Sequence, residues 1–277
     1  MGEFVRVSLE QLAGDGQPGV SIARVTLSRP ELHNAFNETM IEELREAFAG
    51  FGKHSDVRAV ILSGEGKSFC AGADLNWMKK MVDYSFEQNV EDAHDLAAML
   101  RTIYNCPKPV IARVHGAAFG GGVGLIAACD MALSVESASF CLSEVKLGLL
   151  PAVISPFVIK KIGQSAAQRY FLTAEKFGAA EALRIGLVSE VTPDVAALDD
   201  RIARMVEALA ANGPEAVTQC KVLIEKIGNC DWDRAVDITT KMIADRRVSG
   251  EGQEGMKAFL EKRPPYWMQP NAPATKG

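Results

Sequence analysis

Residues 116–130, GAAFGGGVGLIAACD, carry three consecutive glycines at 120–122 and no charge before Asp130. Glycine costs a helix interior roughly 1 kcal/mol against alanine, so a triplet opening an apolar, helix-like run demands a reason. The strand-like segment KPVIARVHG (108–116) precedes it, which makes the run a strand–glycine–helix turn. Such a turn presents unpaired backbone N–H groups at the positive end of a helix dipole. Without Cβ atoms in the way, an anion or a developing oxyanion can come close to those groups.

The flanking pattern predicts the context. VSIARVTLSRP (20–30) alternates apolar and polar residues and ends at a proline, the signature of a strand. Asn37 or Thr39 is placed to cap a helix with apolar positions 40, 41, 44, 47, 48 and 51. VRAVILSGEG (57–66) reads as a buried strand running into a Gly-rich turn, 85–105 as a helix, and DMALSVE (130–136) as a further strand. Strands alternating with helices predict an α/β core with parallel strands. From 195 onward the pattern is helical only, at 195–211, 214–228, 231–247 and 251–263. The expected organisation is a core over 1–194, a helical subdomain over 195–263 and a frayed, Pro-rich tail over 264–277. No internal repeat is visible.

Composition narrows the function classes. The 277 residues are 48% apolar with a net charge of −5, enough for a sizeable core. The mildly acidic balance and the scatter of basic residues argue against nucleic acid as the main partner. Six cysteines (70, 106, 129, 141, 220 and 230) stand singly, with no CxxC pair and no Cys/His cluster at zinc spacing. No metal site is expected, and the thiols read as those of a reducing compartment. The segment MGEFVRVSLEQL has the features of neither a signal nor a transit peptide. The longest uncharged run, 14 residues, is too short to span a bilayer. The expectation is a soluble, cytoplasmic protein with no membrane contact.

Three readings of the glycines compete. Gly122-x-Gly124-x-x-Ala127, with Glu144 twenty residues after Gly124, fits a dinucleotide fingerprint, but it falls mid-chain after two earlier strands. GEGKS (64–68) is no phosphate-binding P-loop, since position 61 is Ile where that motif needs Gly. A second small-residue turn, SFCAGADL (68–75), follows the strand at 57–63. Two such turns, each offering an N–H, would form an oxyanion hole. Tight helix-on-strand packing accounts equally well for either turn alone.

FCAGADL (69–75), PVIARVHGAAFGGGVGLIAACD (109–130) and FCLSEVKLGLLPA (140–152), in this order and spacing, resemble the crotonase (enoyl-CoA hydratase/isomerase) superfamily. LSRPELHNAFN (27–37) looks like that family's early coenzyme A segment and EGMKAFLEKR (254–263) like its C-terminal helix. The resemblance implies a spiral of ββα units with a C-terminal helical subdomain, homotrimers or hexamers, and acyl-CoA thioesters as substrates. No cofactor is implied, because coenzyme A is part of the substrate. Carried over residue by residue, the oxyanion donors are the N–H groups of Ala73 and Gly121. Substrate contacts fall at Ala71, Ala73, Asp74, Leu75, Asn76, Gly120, Gly121 and Gly124. Arg29 and Ala35 fall on the pantetheine–phosphate side, and Lys262 reaches in from a neighbouring subunit; Arg29 and Lys262 read equally as surface charges.

The resemblance breaks at one position. Family hydratases grip water with two glutamates, the first in GGGxE. Here that position is Gly124, and only the second, Glu144, remains. One glutamate facing an oxyanion hole supports proton transfer beside a thioester, with apolar Phe140, Leu142 and Leu149 expected to raise its pKa. Asp74, His115 and Asp130 are expected to serve structure, and Ser143 is placed to help hold water. A closer resemblance to the bacterial methylglutaconyl-CoA and carboxygeranoyl-CoA hydratases implies hydration of a short, branched acyl chain. The volume freed at Gly124 is expected to receive that branch. A Δ3,Δ2-enoyl-CoA isomerase using the same glutamate is the alternative. A non-catalytic CoA-thioester or RNA-binding member is the reading from a different class.

Overall fold

The computed structural model describes residues 2–11, 20–228 and 230–269. The elements, in chain order, are β1 (Val5–Gln11), β2 (Ser21–Leu27), α1 (Glu38–Gly50), β3 (Val57–Gly64), β4 (Ser68–Cys70), α2 (Leu75–Met81), α3 (Phe86–Tyr104), β5 (Val110–Val114), β6 (Ala117–Phe119) and α4 (Gly121–Ala128). There follow β7 (Met131–Val135), β8 (Ser139–Cys141), α5 (Ser155–Thr173), β9 (Phe177–Gly178), α6 (Ala179–Arg184), β10 (Glu190–Thr192), α7 (Val195–Ala210), α8 (Pro214–Ile227), α9 (Trp232–Val248) and α10 (Gly250–Leu260).

Two sheets share the strands. The larger runs β1-β2-β3-β5-β7-β10, with β1 antiparallel to β2 and every later pair parallel. The smaller runs β4-β6-β8-β9. The chain places one long strand in the first sheet and one short strand in the second, then returns by helix: β3–β4–α2/α3, β5–β6–α4 and β7–β8–α5. This is the expected spiral of ββα units. β2 alternates buried and half-buried residues, as a strand with one covered face must, whereas β3 is buried almost throughout. Met40, Ile41, Leu44 and Phe48 of α1 close the core, and Asn37 caps that helix by accepting the Met40 N–H at 3.1 Å.

The C-terminal helices start and stop close to where the pattern puts them. α8 and α9 bury no residue, and α10 buries only Glu251 and Ala258. The segment after α10 corrects the reading of a frayed tail as far as residue 269. Tyr266 N–H donates to Glu254 at 3.0 Å and the Trp267 indole to the Ala211 carbonyl at 3.2 Å; residues 270–277 lie outside the described residues. Among the described residues no helix is long and apolar enough to cross a membrane. Cys70, Cys106, Cys129 and Cys141 are buried thiols, while Cys220 is exposed.

Candidate active site

β4, β6 and β8 lie side by side and parallel. The segments that follow them, 71–74, 120–121 and 142–144, therefore leave the small sheet at one end. Parallel sheets gather ligands at the carboxyl ends of their strands, and this end collects both small-residue turns and Glu144.

The first turn is held from outside. Phe36 donates its N–H to Gly72 O at 2.8 Å and accepts that of Asp74 at 3.0 Å, an isolated parallel bridge that leaves the Ala73 N–H between them without an acceptor among the described residues. Asn34, fully buried, donates to Glu65 O at 2.8 Å and Ser68 O at 2.9 Å, and His33 O accepts the Ala71 N–H at 2.9 Å. His33 and Asn34 reach these groups from φ +52° and +56°, a left-handed pair that Asn tolerates better than most residues. Gly72 sits at φ +92°, and a Cβ there would lie 2.9 Å from Phe119 O and 3.6 Å from Gly121 N. The two turns are thus in contact.

Arg29 requires a correction. It does not present a guanidinium for a phosphate. Its side chain is 8% exposed and donates to Asp74 at 2.8 Å and to the Ala35 carbonyl at 2.7 Å, with Phe4 stacked beneath it. Ala35 is itself buried and its carbonyl is taken by Arg29, so the pair braces the turn from below. Asp74 caps α2 by accepting the Asn76 and Trp77 N–H groups. Burial pushes its carboxyl up, but the Asn76 N–H, Arg29 and the Trp77 N–H outweigh that and hold it below the ordinary aspartate range. Leu75 and Asn76 lie exposed at the start of α2, beside the half-buried Ala71 and Ala73.

At the second turn each glycine has its own constraint. Gly120 turns the chain at φ +50° and donates to Cys141 O at 2.8 Å. Gly121 opens α4, and its N–H finds no acceptor among the described residues. A Cβ on Gly121 would fall 2.2 Å from Phe36 Cζ, and one on Gly122 would fall 2.3 Å from Cys70 O. The Cβ directions of these two glycines thus point into protein and not toward a ligand. Packing makes them obligatory, while the N–H of Gly121 is left free for an oxygen. The packing against Cys70 O accounts for Gly122 without a dinucleotide.

Glu144 follows β8 in a short 3-10 turn, Glu144–Leu147. Its Oε1 would be 3.2 Å from a Cβ at Gly120, and its Oε2 is buried with no hydrogen-bond partner. Burial raises its pKa above the ordinary glutamate range, the expected direction. Phe140 and Leu142 are buried, whereas Leu149 is exposed and donates its N–H to the Glu144 carbonyl at 3.1 Å. Ser143 precedes the turn and makes no capping bond through its side chain. Gly124 departs from expectation, because the volume it leaves is not vacant: a Cβ there would lie 2.3 Å from Ile154 Cγ2.

His115 and Asp130 make structural contacts. His115 Nε2 lies 3.0 Å from Gly66 O, and burial together with Arg113 holds its pKa below the ordinary histidine range. Asp130 does more than end α4, since it accepts the Val110 N–H and the Lys221 ammonium, both at 2.7 Å, and so ties β5 to α8. Lys262 stands exposed just beyond α10. Phe36, Asn34 and Ile154 escape a sequence reading. For the first two the available signal was Asn after a Pro-opened turn; Ile154 offers none, because its partner lies 30 residues away.

Comparison with known proteins identifies the family. The enoyl-CoA hydratase/isomerase family model matches residues 18–270. A solved enoyl-CoA hydratase from Shewanella pealeana superposes with a TM-score of 0.88 at 43% identity, over 95% of each chain. An enoyl-CoA hydratase of Alternaria alternata is 36% identical over 87% of this chain and 78% of its own. A peroxisomal Delta(3,5)-Delta(2,4)-dienoyl-CoA isomerase of Arabidopsis thaliana is 31% identical over 88% of this chain and 92% of its own. The chain belongs to the enoyl-CoA hydratase/isomerase family, the crotonase superfamily.

Proposed function

We propose that this enzyme is an enoyl-CoA hydratase that adds water across the 2,3 double bond of a short, branched, methylglutaconyl-like acyl-CoA. The observation that carries the reading is the Glu144 carboxylate, with its buried, unpartnered Oε2, set beside two turns that each leave an N–H without an acceptor. The Ala73 and Gly121 N–H groups would bind the thioester oxygen. Glu144 would take a proton from water as the hydroxyl adds to the β-carbon, and the electron pair of the double bond would move to the carbonyl oxygen as an enolate. The same carboxyl would then return its proton to the α-carbon as the enolate collapses. Backbone donors aimed at developing charge contribute about 10²- to 10³-fold each, and general acid–base help about 10²- to 10⁴-fold.

The same residues would let Glu144 carry a proton between two carbons, so a Δ3,Δ2-enoyl-CoA isomerase remains the second reading, favoured by the likeness to the dienoyl-CoA isomerase. Assembly as a homotrimer or hexamer accords with the exposed apolar residues of the last three helices, including Trp232, Val248, Phe259 and Leu260. In such an assembly Lys262 would meet a neighbour's coenzyme A. The proposed setting is cytoplasmic, with no cofactor beyond the substrate's own coenzyme A. Turnover across straight, branched and carboxylated enoyl-CoA thioesters, followed by loss of the conjugated-enoyl absorbance, tests the reading. Hydration with preference for a branched thioester supports it. Double-bond migration without hydration selects the isomerase, and binding without turnover of any thioester overturns both.

A further inference from the structure

Gly124 lies one turn beyond Gly120 on α4, with its N–H donating to Gly120 O at 3.3 Å. Cα–Cβ bonds on a helix lean toward its N-terminus. A side chain at 124 would therefore lean over the turn that carries Gly120, against which the Glu144 carboxylate rests. Ile154 already takes that direction. A Cβ at 124 would meet its Cγ2 at 2.3 Å, its Cβ at 2.9 Å and its Cα at 3.9 Å. Only the last is an ordinary contact, so only glycine at 154 would admit a side chain at 124. Ile154 is also fixed in place: it is buried, and its carbonyl accepts the Phe157 and Val158 N–H groups at the head of α5.

We propose that Ile154 is a specificity-determining residue, a size-reciprocal partner of Gly124 that fills the space a side chain at 124 would need. It thereby holds the acyl end of the site as one carboxylate backed by an apolar wall. Two consequences follow. Position 124 cannot accept a second acid while Ile154 stands. The branched side chain at 154, and not a void at 124, sets how much room the β-substituent of the acyl chain has. This selectivity rests on the assignment of Glu144 above, whereas the steric exclusion does not.

The test is a cycle of Gly124→Ala, Ile154→Gly and the double variant, read first by thermal unfolding. Gly124→Ala should lower Tm in the wild-type background and leave it nearly unchanged beside Ile154→Gly. Equal losses in both backgrounds would overturn the steric pairing. The second readout is the ratio of kcat/KM for a β-branched against a straight enoyl-CoA. Ile154→Gly should raise that ratio about tenfold or more, the scale of a one- to two-carbon change in an apolar pocket. Gly124→Glu with Ile154→Gly should move it back toward the straight thioester. A folded Ile154→Gly enzyme with an unchanged ratio would make Ile154 a core residue only. Should Ile154→Gly not fold, Ile154→Val and Ile154→Ala carry the test: the ratio should climb with the volume removed, and a flat series would overturn the proposal. Full turnover in Glu144→Gln would overturn the acid/base assignment while leaving the Tm cycle intact, so the two failures are distinguishable.

Discussion

Replacing Arg29 by Met would keep most of the side-chain volume and delete the buried cation. Asp74, 5% exposed at its side chain, would then lose its only ion-pair partner among the described residues while keeping the Asn76 and Trp77 N–H groups. Ala35 O would lose its 2.7 Å donor. Breaking one side of a buried pair costs about 3–5 kcal/mol, and the two retained N–H groups put the estimate near the lower end, about 3 kcal/mol. In a chain of this size each kcal/mol moves Tm by roughly 2–4 °C, so the loss should be roughly 6–12 °C. The sign with pH follows from Asp74. Its pKa is depressed in the folded state, so its contribution is present above the ordinary aspartate value of about 3.9 and is lost as pH falls through the folded pKa. The difference between wild type and Arg29→Met should therefore be full at neutral pH and shrink in acid. Because Asp74 adjoins Ala73, kcat should drop by up to about 10²-fold, the scale of one oxyanion donor. Adding Asp74→Asn should recover part of the lost Tm. Thermal unfolding at several pH values, with kcat and KM on an enoyl-CoA, reads all of this. A variant with wild-type Tm and kcat but raised KM would refute the brace and return Arg29 to the coenzyme A phosphates.

Other outcomes are equally specific. Gly121→Val should reduce turnover by about 10²-fold or more because its Cβ displaces Phe36, which sets the Ala73 turn; full activity of the folded variant would place the thioester elsewhere. Glu144→Gln should raise Tm at neutral pH, because a carboxyl whose folded pKa is raised costs stability once ionised, at about 1.4 kcal/mol for each pH unit of elevation; an unchanged or lowered Tm from pH 5 to 8 would show that its burial carries no such cost. Sedimentation should give a trimer or hexamer at micromolar concentration, and an active monomer would remove Lys262 as a cross-subunit contact.

What the sequence disclosed follows the range of each interaction. α3 was legible because its signals are local: the Ser85 hydroxyl accepts the Gln88 N–H at 3.2 Å and the Gln88 Oε1 accepts the Ser85 N–H at 2.8 Å, a reciprocal cap written within four residues. The amphipathic α7 is of the same kind. The small sheet was not legible, since β4, β6 and β8 have three residues each and three residues cannot show a period. The repeated triplet Ser-Phe-Cys at 68–70 and 139–141 was the one trace of their equivalence. In the site, the two unpaired N–H groups and the position of Glu144 beside them were legible from small-residue turns and from family resemblance. Arg29 was placed on the pantetheine–phosphate side by family resemblance, or else at the surface, because its partner, Asp74, lies 45 residues on and no local signal announces their buried pair. Gly124 was misread as space because nothing local announces Ile154.

The central claim is that Glu144 performs the proton transfers while backbone N–H groups hold the thioester oxygen. Its most direct test is single-turnover hydration by Glu144→Gln beside an acyl-CoA binding titration of the same protein. The substitution keeps shape and removes the titratable carboxyl, so turnover should fall at least about 10²-fold with binding retained. Near wild-type turnover in that variant would contradict the account.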